Sequence, residues 1–425
     1  MNIYLSILFA SVILLLAFAV ERFSRAHKLP AVILLIGLGM VCKPVLESLG
    51  WTLQGLEVTV PIIGTVGLVL IVLEGALDIS LKRERLHSAA AALAMAVFGF
   101  IACLVLLIPV VSYVFSISLF KAAIIAVPAA VISSAVAIPS SQFMGEHGRE
   151  FVVYESSLSD ILGVIVFFAL VNSDGTLLGI VKGLLGGGIV SLLLSVVCAI
   201  GLALMLMRIQ GQVRFLPLLA GLLGLYAGGK LMHLSPLIMV LLFGLTINNP
   251  SLIMRIPALR HWMSDKYEAT LNEFKSLAFE LTFAVRGFFF ILLGYWTELH
   301  TLVLPQAWLG AGIVMFVMYT TRSALLRFFG GELASPLLWL APRGLITVLL
   351  YLTARQIVPV PDYLGGTVLI VVIVSATLVL VAQRAQPARN KPPALADSDV
   401  MAVANTGDRG DDSAPPLPSS SSQGR

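Results

Sequence analysis

Charged residues are scarce in this sequence. Asp, Glu, Lys and Arg make up 12% of its 425 residues, whereas 58% are hydrophobic. A soluble chain carries about twice that charged fraction, so the composition excludes an ordinary soluble protein. Cysteine is scarcer still: Cys42, Cys103 and Cys198 stand far apart in apolar runs, a spacing that fits neither a disulfide framework nor a metal site.

The sequence also lacks the patterns of enzymes and of nucleic-acid-binding proteins. No nucleophile–base set and no phosphate-binding loop occurs in its apolar runs. Most of the basic residues stand in the connections between those runs, so they do not predict a nucleic-acid-binding face. We therefore expect a protein that is not an enzyme, holds no cofactor and binds no nucleic acid.

Apolar runs of about 20 residues recur along the chain, and each is long enough to cross a bilayer as a helix. They predict an all-α polytopic membrane protein whose transmembrane domain is formed by residues 1–384. We predict thirteen spans, at residues 2–20, 30–47, 59–79, 89–114, 120–141, 152–172, 183–207, 213–230, 235–250, 276–296, 302–326, 336–354 and 363–383.

Lysine and arginine concentrate in the odd-numbered connections and behind the last span; Arg322 and Arg327, at the end of span 11, are counted with the connection that follows. Cytoplasmic loops carry the excess of these residues. We therefore expect an inner-membrane protein with its N-terminus outside and its C-terminus in the cytoplasm. Residues 385–425 are rich in Pro, Ser, Asp and Ala without an apolar period, which predicts a disordered cytoplasmic tail.

Two predicted spans contain residues that interrupt helices. Span 5 carries Pro128 with Ser133 and Ser134, and span 12 carries Pro342 and Gly344. Irregular backbone is tolerated in a bilayer only against protein or a water-filled cavity. The two spans are seven apart, and an odd offset reverses direction, which predicts two discontinuous helices in inverted repeats. Two kinked but continuous helices are the alternative.

Ionisable residues inside the spans are the candidates for a functional site. A charge near the bilayer centre costs roughly 3 kcal/mol or more, so such residues face cavities, pair with each other, or carry ions and protons. Glu280 and Asp78 stand near span ends, and we interpret them as interfacial. The candidates are Glu74, Asp78, Glu155, Asp160, Glu280, Arg286 and Arg343.

Asp160 stands in a run of small polar residues in span 6. Ser156 precedes it by four residues and shares its helix face. We predict that Asp160 faces a cavity and binds a monovalent cation or a proton, with the hydroxyl groups of Ser156, Ser133 and Ser134 as further oxygen ligands. A pair of carboxylates that serves helix assembly alone is the alternative.

Glu155 lies about 140° around the helix from Asp160 and should meet a different neighbour. We predict a structural ion pair between Glu155 and either Arg286 or Arg343. Glu74, beside Gly75 on span 3, is either part of the ion pathway or a structural residue, and both interpretations stay open.

Four segments, in this order, resemble motifs of the monovalent cation:proton antiporter superfamily, in its sodium/proton exchanger branch. The resemblance covers roughly residues 1–384. The segments are Leu73-Glu74-Gly75-Ala76-Leu77-Asp78, Glu155-Ser156-Ser157-Leu158-Ser159-Asp160, Val285-Arg286-Gly287-Phe288-Phe289-Phe290 and Ala341-Pro342-Arg343-Gly344.

This resemblance implies thirteen helices, two crossed discontinuous helices in a six-helix core, and elevator-like alternating access. We expect the core around spans 3–6 and 10–13, with dimerisation helices around spans 1–2 and 8–9, and therefore a homodimer. The resemblance further implies that Asp160 binds ion and proton, and that Glu155 pairs with a core arginine.

Two positions depart from the family pattern. Ser159 stands before the aspartate, where exchangers usually have Asn or, in electrogenic members, Asp. Without a second adjacent carboxylate, one-for-one electroneutral exchange is favoured. Ser133-Ser134-Ala135 replaces the expected Thr-Asp-Pro of span 5, so one negative ligand is missing and the cation, sodium or potassium, is left open.

The leading hypothesis is secondary active exchange of a monovalent cation for a proton in the lipid bilayer, with Asp160 binding each in turn. A regulated potassium channel or efflux pathway is one alternative. A non-transporting membrane sensor is another, for which the missing carboxylate of span 5 is the argument.

Overall fold

The computed structural model describes residues 3–27, 29–48, 56–78, 86–173, 215–231, 236–249, 267–329 and 334–384, together with isolated positions between 175 and 201. The regular structure in these ranges is helical. The helices are α1 (Ile3–His27), α2 (Ala31–Ser48), α3 (Leu56–Asp78), α4 (Leu86–Phe115), α5 (Leu119–Ala130), α6 (Ser134–Ser140), α7 (Glu146–Val171), α8 (Phe215–Leu231), α9 (Pro236–Asn248), α10 (Tyr267–Trp296), α11 (Leu299–Val303), α12 (Pro305–Phe329), α13 (Ala334–Trp339), α14 (Leu345–Ile357) and α15 (Tyr363–Arg384).

These helices overlap the predicted spans wherever the chain is described, although α10 begins at Tyr267, before the predicted start of span 10 at residue 276. Span 7, at residues 183–207, falls outside the described residues apart from isolated positions, so the total of thirteen stays a prediction. Seven described segments are long and apolar enough to cross a membrane, and shorter apolar helices accompany them. The prediction of an all-α polytopic membrane fold is confirmed.

Packing divides the described helices into two groups. Helices α1–α3 and α8–α10 pack mainly against one another, as do α4–α7 and α11–α15. The first group contains spans 3 and 10, which the sequence analysis had assigned to the core. Whether the first group forms a dimer interface remains a prediction.

A close glycine contact between α2 and α10 accounts for the position of span 10. A Cβ atom on Gly39 would lie 2.8 Å from the amide nitrogen of Tyr295, and one on Gly294 would lie 3.1 Å from the Cα atom of Gly39. In a membrane, small residues let helix backbones approach each other and gain van der Waals contact. Helix α10 is thereby packed against α2.

The two interrupted spans are broken and crossed, as predicted. The first break separates α5 from α6, and the second separates α13 from α14. The breaks contact each other directly, because the Ser133 N–H donates to the Pro342 carbonyl oxygen at 2.9 Å. Proline disfavours helical geometry at the residue before it, so Pro342 explains why Ala341 is not helical.

Gly344 permits the close approach of the two breaks. A Cβ atom at this position would overlap the Ser133 side chain, lying 2.9 Å from its Cβ atom and 3.1 Å from Cγ2 of Val136. Both neighbours are buried at the crossing. The glycine is therefore required here by space.

Substitution of Gly344 by Ala should lower the stability of the protein by about 1–3 kcal/mol, because overpacking forces its neighbours apart. Thermal unfolding in detergent measures the effect. Gly312→Ala is the matched control, since a methyl group at Gly312 would meet no described atom within 4 Å. Adding Ser133→Gly removes the side chain that clashes and should recover part of the loss. Equal unfolding temperatures for Gly344→Ala and the control would contradict the crossing as described.

Candidate functional site

Glu155 of α7 is neutralised by an arginine that the sequence analysis did not select. Its Oε1 and Oε2 atoms accept hydrogen bonds from Nη1 and Nη2 of Arg322 at 2.6 and 2.9 Å. The carboxylate is 2% exposed and the guanidinium 5%. The predicted partners Arg286 and Arg343 are therefore corrected to Arg322, which lies inside α12 and not in a cytoplasmic connection.

Arg322 also holds the end of the broken helix α13. Its Nε atom donates to the Leu337 carbonyl oxygen at 2.8 Å, and Nη2 lies 3.4 Å from that of Leu340. The last carbonyl groups of a helix have no intrahelical donor, and a cation near them is favoured by the helix dipole. One guanidinium group thus joins α7, α12 and the second break.

The other two arginines bind backbone carbonyl groups of the first break. Arg343 Nε donates to the Ala129 carbonyl oxygen at 2.7 Å, which is available because the Ser133 N–H donates to Pro342 instead. Arg286 Nη1 lies 3.5 Å from the carbonyl oxygen of Ala135.

The chain itself explains why the Ala135 carbonyl group needs an outside donor. Its partner in an α-helix would be the N–H group four residues later, but that residue is Pro139, which has none. Arg286 approaches the carbonyl group that the proline leaves unpaired. Among the described residues, the three buried arginines thus approach carbonyl oxygens of the interrupted backbone, and Arg322 is the one of the three that also bonds to an acid.

The amide groups of the first break are satisfied by side chains of α7. The Ile132 N–H donates to Ser159 Oγ at 2.9 Å, and the Ser134 N–H donates to Asp160 Oδ2 at 3.1 Å. Unpaired backbone groups are costly inside a membrane, so these bonds fix the unwound segment against α7. Ser159, which departs from the family pattern, is an uncharged acceptor for this amide.

Asp160 differs from Glu155 in its neighbours. Its side chain is 4% exposed, and the ion pairs among the described residues do not include it. Oδ2 accepts from Ser134, whereas Oδ1 is buried without a hydrogen-bond partner in the described part of the chain. A buried acceptor without a partner costs free energy. This oxygen is therefore disposed to bind a proton or a cation.

The structure brings Asp160, Ser133 and Ser134 together at the crossing, whereas the Ser156 side chain makes a hydrogen bond within its own helix. The Ser156 hydroxyl group donates to the Val152 carbonyl oxygen of its own helix at 2.7 Å. Its sequence position on the face of Asp160 is as predicted, but its hydrogen bond belongs to α7. A ligand role for Ser156, Ser133 or Ser134 stays a prediction.

Glu74 is partly buried on α3, one residue before Gly75. A Cβ atom on Gly75 would lie 3.6 Å from Ser157 Oγ, so this part of α3 faces α7. The Asp78 side chain falls outside what the structure describes. Glu280 is exposed on α10.

A small cavity of about 20 Å³ lies beside Glu155 and not beside Asp160. Its walls include Ser159, the guanidinium-bearing Arg322 and Arg343, and Cys103 of α4. This volume is sufficient for about one water molecule. This cavity therefore does not meet the expectation that Asp160 faces a cavity. The Asp160 side chain is closed to bulk solvent in this conformation.

The chain is similar to a known protein family and to solved structures of one antiporter. The family profile described as the transmembrane part of sodium/hydrogen exchangers matches residues 9–384. A structure of the sodium proton antiporter MjNhaP1 from Methanocaldococcus jannaschii at pH 8 is similar with a TM-score of 0.67 and 18% identity, over 91% of this chain and 99% of that one. An electron-microscopy structure of the same antiporter gives 0.65 and 19%, over 97% and 100%. Comparison with curated proteins gives no match.

Proposed function

This chain belongs to the sodium/hydrogen exchanger family, and on that premise we propose that it exchanges sodium or potassium for protons through Asp160. A chain of this family and fold is a multi-pass membrane transporter of the cation/proton antiport class and not an enzyme. The proposal concerns the residue that carries the ions, the choice of cation and the stoichiometry.

The observation that carries the proposal is that two buried acids on one helix have different hydrogen-bond and ion-pair partners. Glu155 has both oxygens bonded to Arg322, whereas Asp160 has no arginine partner and one oxygen without a hydrogen bond in the described residues. A buried carboxylate is stable when it is paired, protonated or bound to a cation. Asp160 therefore supports alternate binding of a proton and a cation.

The same arrangement favours one-for-one exchange. Asp160 is neutral when it binds either one proton or one monovalent cation, so the loaded site carries the same charge in both directions. Ser159 supplies an uncharged acceptor to Ile132, and the charge of Glu155 is compensated by Arg322. Neither residue adds a second titrating carboxylate to the ion-binding site, which supports electroneutral transport.

Proton flux in proteoliposomes tests the function. We expect pulses of sodium or potassium to drive proton movement across membranes that contain the protein, with a rate unaffected when the permeant anion thiocyanate collapses the membrane potential. Lithium pulses complete the comparison of cations. Cation flux that is not coupled to protons would favour a channel, and absence of flux with every cation would favour a non-transporting sensor.

Competition between proton and cation gives a pH prediction. On the acid side of the activity profile, the sodium concentration for half-maximal exchange should rise about tenfold per pH unit, because one bound proton excludes one bound cation. The maximal rate at saturating sodium should change less. Initial rates over a grid of pH and sodium concentrations measure this, and a half-maximal concentration independent of pH would indicate separate sites.

The remaining features of the proposal concern assembly and placement. We propose a homodimer in an inner membrane, with the N-terminus outside and residues 385–425 in the cytoplasm, from the loop charges and the family resemblance. Glu74 is proposed to line the ion pathway because the adjacent Gly75 faces α7 close to Ser157.

A further inference from the structure

Ser157, like Asp160, carries a buried side-chain oxygen on α7 that has no hydrogen-bond partner among the described residues. Its Oγ atom is buried, its side chain is 1% exposed, and it has no partner among the described residues. A hydroxyl group in a helix usually donates to the carbonyl oxygen one turn earlier, as Ser156 does to Val152. Ser157 does not make that bond, so its hydroxyl group is available to another ligand.

Ser157 and Asp160 lie on the same side of α7. They are three residues apart, a spacing at which side chains on a helix are neighbours, with Cβ atoms about 5–6 Å apart. Both carry an oxygen that is buried and without a hydrogen-bond partner in the described structure. Burying two such oxygens next to each other is costly unless something binds both.

The neighbouring helix leaves room at this place. Gly75 of α3 is the residue opposite Ser157, since a Cβ atom there would lie 3.6 Å from Ser157 Oγ and 3.7 Å from its Cβ atom. The glycine presents only backbone to the hydroxyl group. No bulky side chain at position 75 therefore separates Ser157 from α3.

We propose that Ser157 Oγ is a ligand of the cation that binds Asp160, and this inference rests on the proposed function. Hard monovalent cations exchange their hydration shell for several protein oxygens, and a hydroxyl group contributes lone pairs without adding charge. When Asp160 is protonated, the same hydroxyl oxygen can accept its O–H group. One neutral oxygen thus serves both occupants of the site.

Ser157→Ala tests the proposal in proteoliposomes, with Ser173→Ala at the C-terminal end of α7 as the control. For Ser157→Ala we expect the sodium concentration for half-maximal exchange to rise about tenfold, with the maximal rate within about a factor of two of the parent protein. Ser173→Ala loses only the hydrogen bond to the Leu170 carbonyl oxygen at 2.8 Å, so its half-maximal concentration should change less than about twofold. Equal changes in both variants, or an unchanged value in Ser157→Ala, would overturn the inference.

A pair of equal-sized variants separates ligation from packing. Ser157→Thr keeps the hydroxyl oxygen, whereas Ser157→Val replaces it with a methyl group of similar shape. We expect Thr to bind sodium at least about tenfold better than Val, while any packing defect affects both. If the two variants bind sodium equally, the oxygen at position 157 is not a ligand.

The outcomes distinguish this inference from the proposed function. If the parent protein exchanges cations and all Ser157 variants have the same sodium affinity, the proposed function stands and the ligand role of Ser157 is overturned. If the parent protein drives no cation-dependent proton flux, the proposed function is overturned, and the ligand role of Ser157 is overturned with it.

Discussion

Replacement of Asp160 by Asn should abolish cation-dependent proton flux, reducing it by about a hundredfold or more, while the protein still folds and inserts. The amide has the size of the carboxyl group, and its oxygen can still accept the N–H group of Ser134. It carries no negative charge, so it neither attracts a cation nor exchanges a proton in the pH range of transport. The expected result is a folded protein without exchange, measured by fluorescence dequenching in proteoliposomes.

Asp362→Asn provides the matched control for this substitution. Asp362 is 77% exposed and pairs with Arg355 at the surface, so loss of its charge should leave the exchange rate within about a factor of two. Thermal unfolding in detergent checks that Asp160→Asn retains its structure. Exchange at the parent rate in a well-folded Asp160→Asn protein would mean that another group carries the ions.

Replacement of Arg322 by Met should cost the largest amount of stability among single substitutions at the site. Glu155 would remain buried without its cation, and breaking a buried pair in this way costs about 3–5 kcal/mol. The carbonyl groups of Leu337 and Leu340 would also lose a donor. We expect a lower unfolding temperature and reduced yield of folded protein, measured by fluorescence-detected thermal unfolding in detergent.

Two further variants make this result specific. Arg327→Met removes an exposed arginine from the same helix and should change stability by less than about 0.5 kcal/mol. Glu155→Gln combined with Arg322→Met removes the unpaired charge and should recover part of the loss. If Arg322→Met unfolds at the same temperature as Arg327→Met, the buried pair contributes nothing to the fold.

The sequence predicted the main features of the fold because a bilayer imposes strong rules on it. Apolar runs predicted the spans, and the prolines of spans 5 and 12, together with Gly344 in span 12, predicted both breaks. A helix period separated Glu155 from Asp160, so the two acids were expected to differ, and the structure gives them different neighbours. These inferences depend on local pattern, which is visible in one chain.

The partner of Glu155 could not be predicted in the same way. Arg322 stands near the end of an apolar run and close to Arg327, which is typical of a cytoplasmic connection. One signal was available: Arg322 stands five residues before Arg327, about 7.5 Å along the helix axis, and therefore lies deeper in the predicted span. The pairing itself depends on the position of α12 beside α7, which only the packing reveals.

The partners of Arg286 and Arg343 at the crossing also differ from those expected. From the sequence, acids are the expected partners of Arg286 and Arg343, because a buried charge needs a partner. In the structure both approach backbone carbonyl oxygens that the breaks leave without donors. The proline at position 139 already identifies one such carbonyl group, at Ala135, so unpaired backbone groups deserve the same search as unpaired charges.

The bond between Ser133 and Pro342 has a practical consequence for mutational scanning. Both of its atoms belong to the main chain, so trimming any side chain to Ala leaves the bond in place. An alanine substitution at position 133 would therefore not report on this bond, although the two half-helix pairs meet there. Only substitutions that add bulk, or a proline at position 133 that deletes the donor, would expose how much of the molecule depends on this one amide.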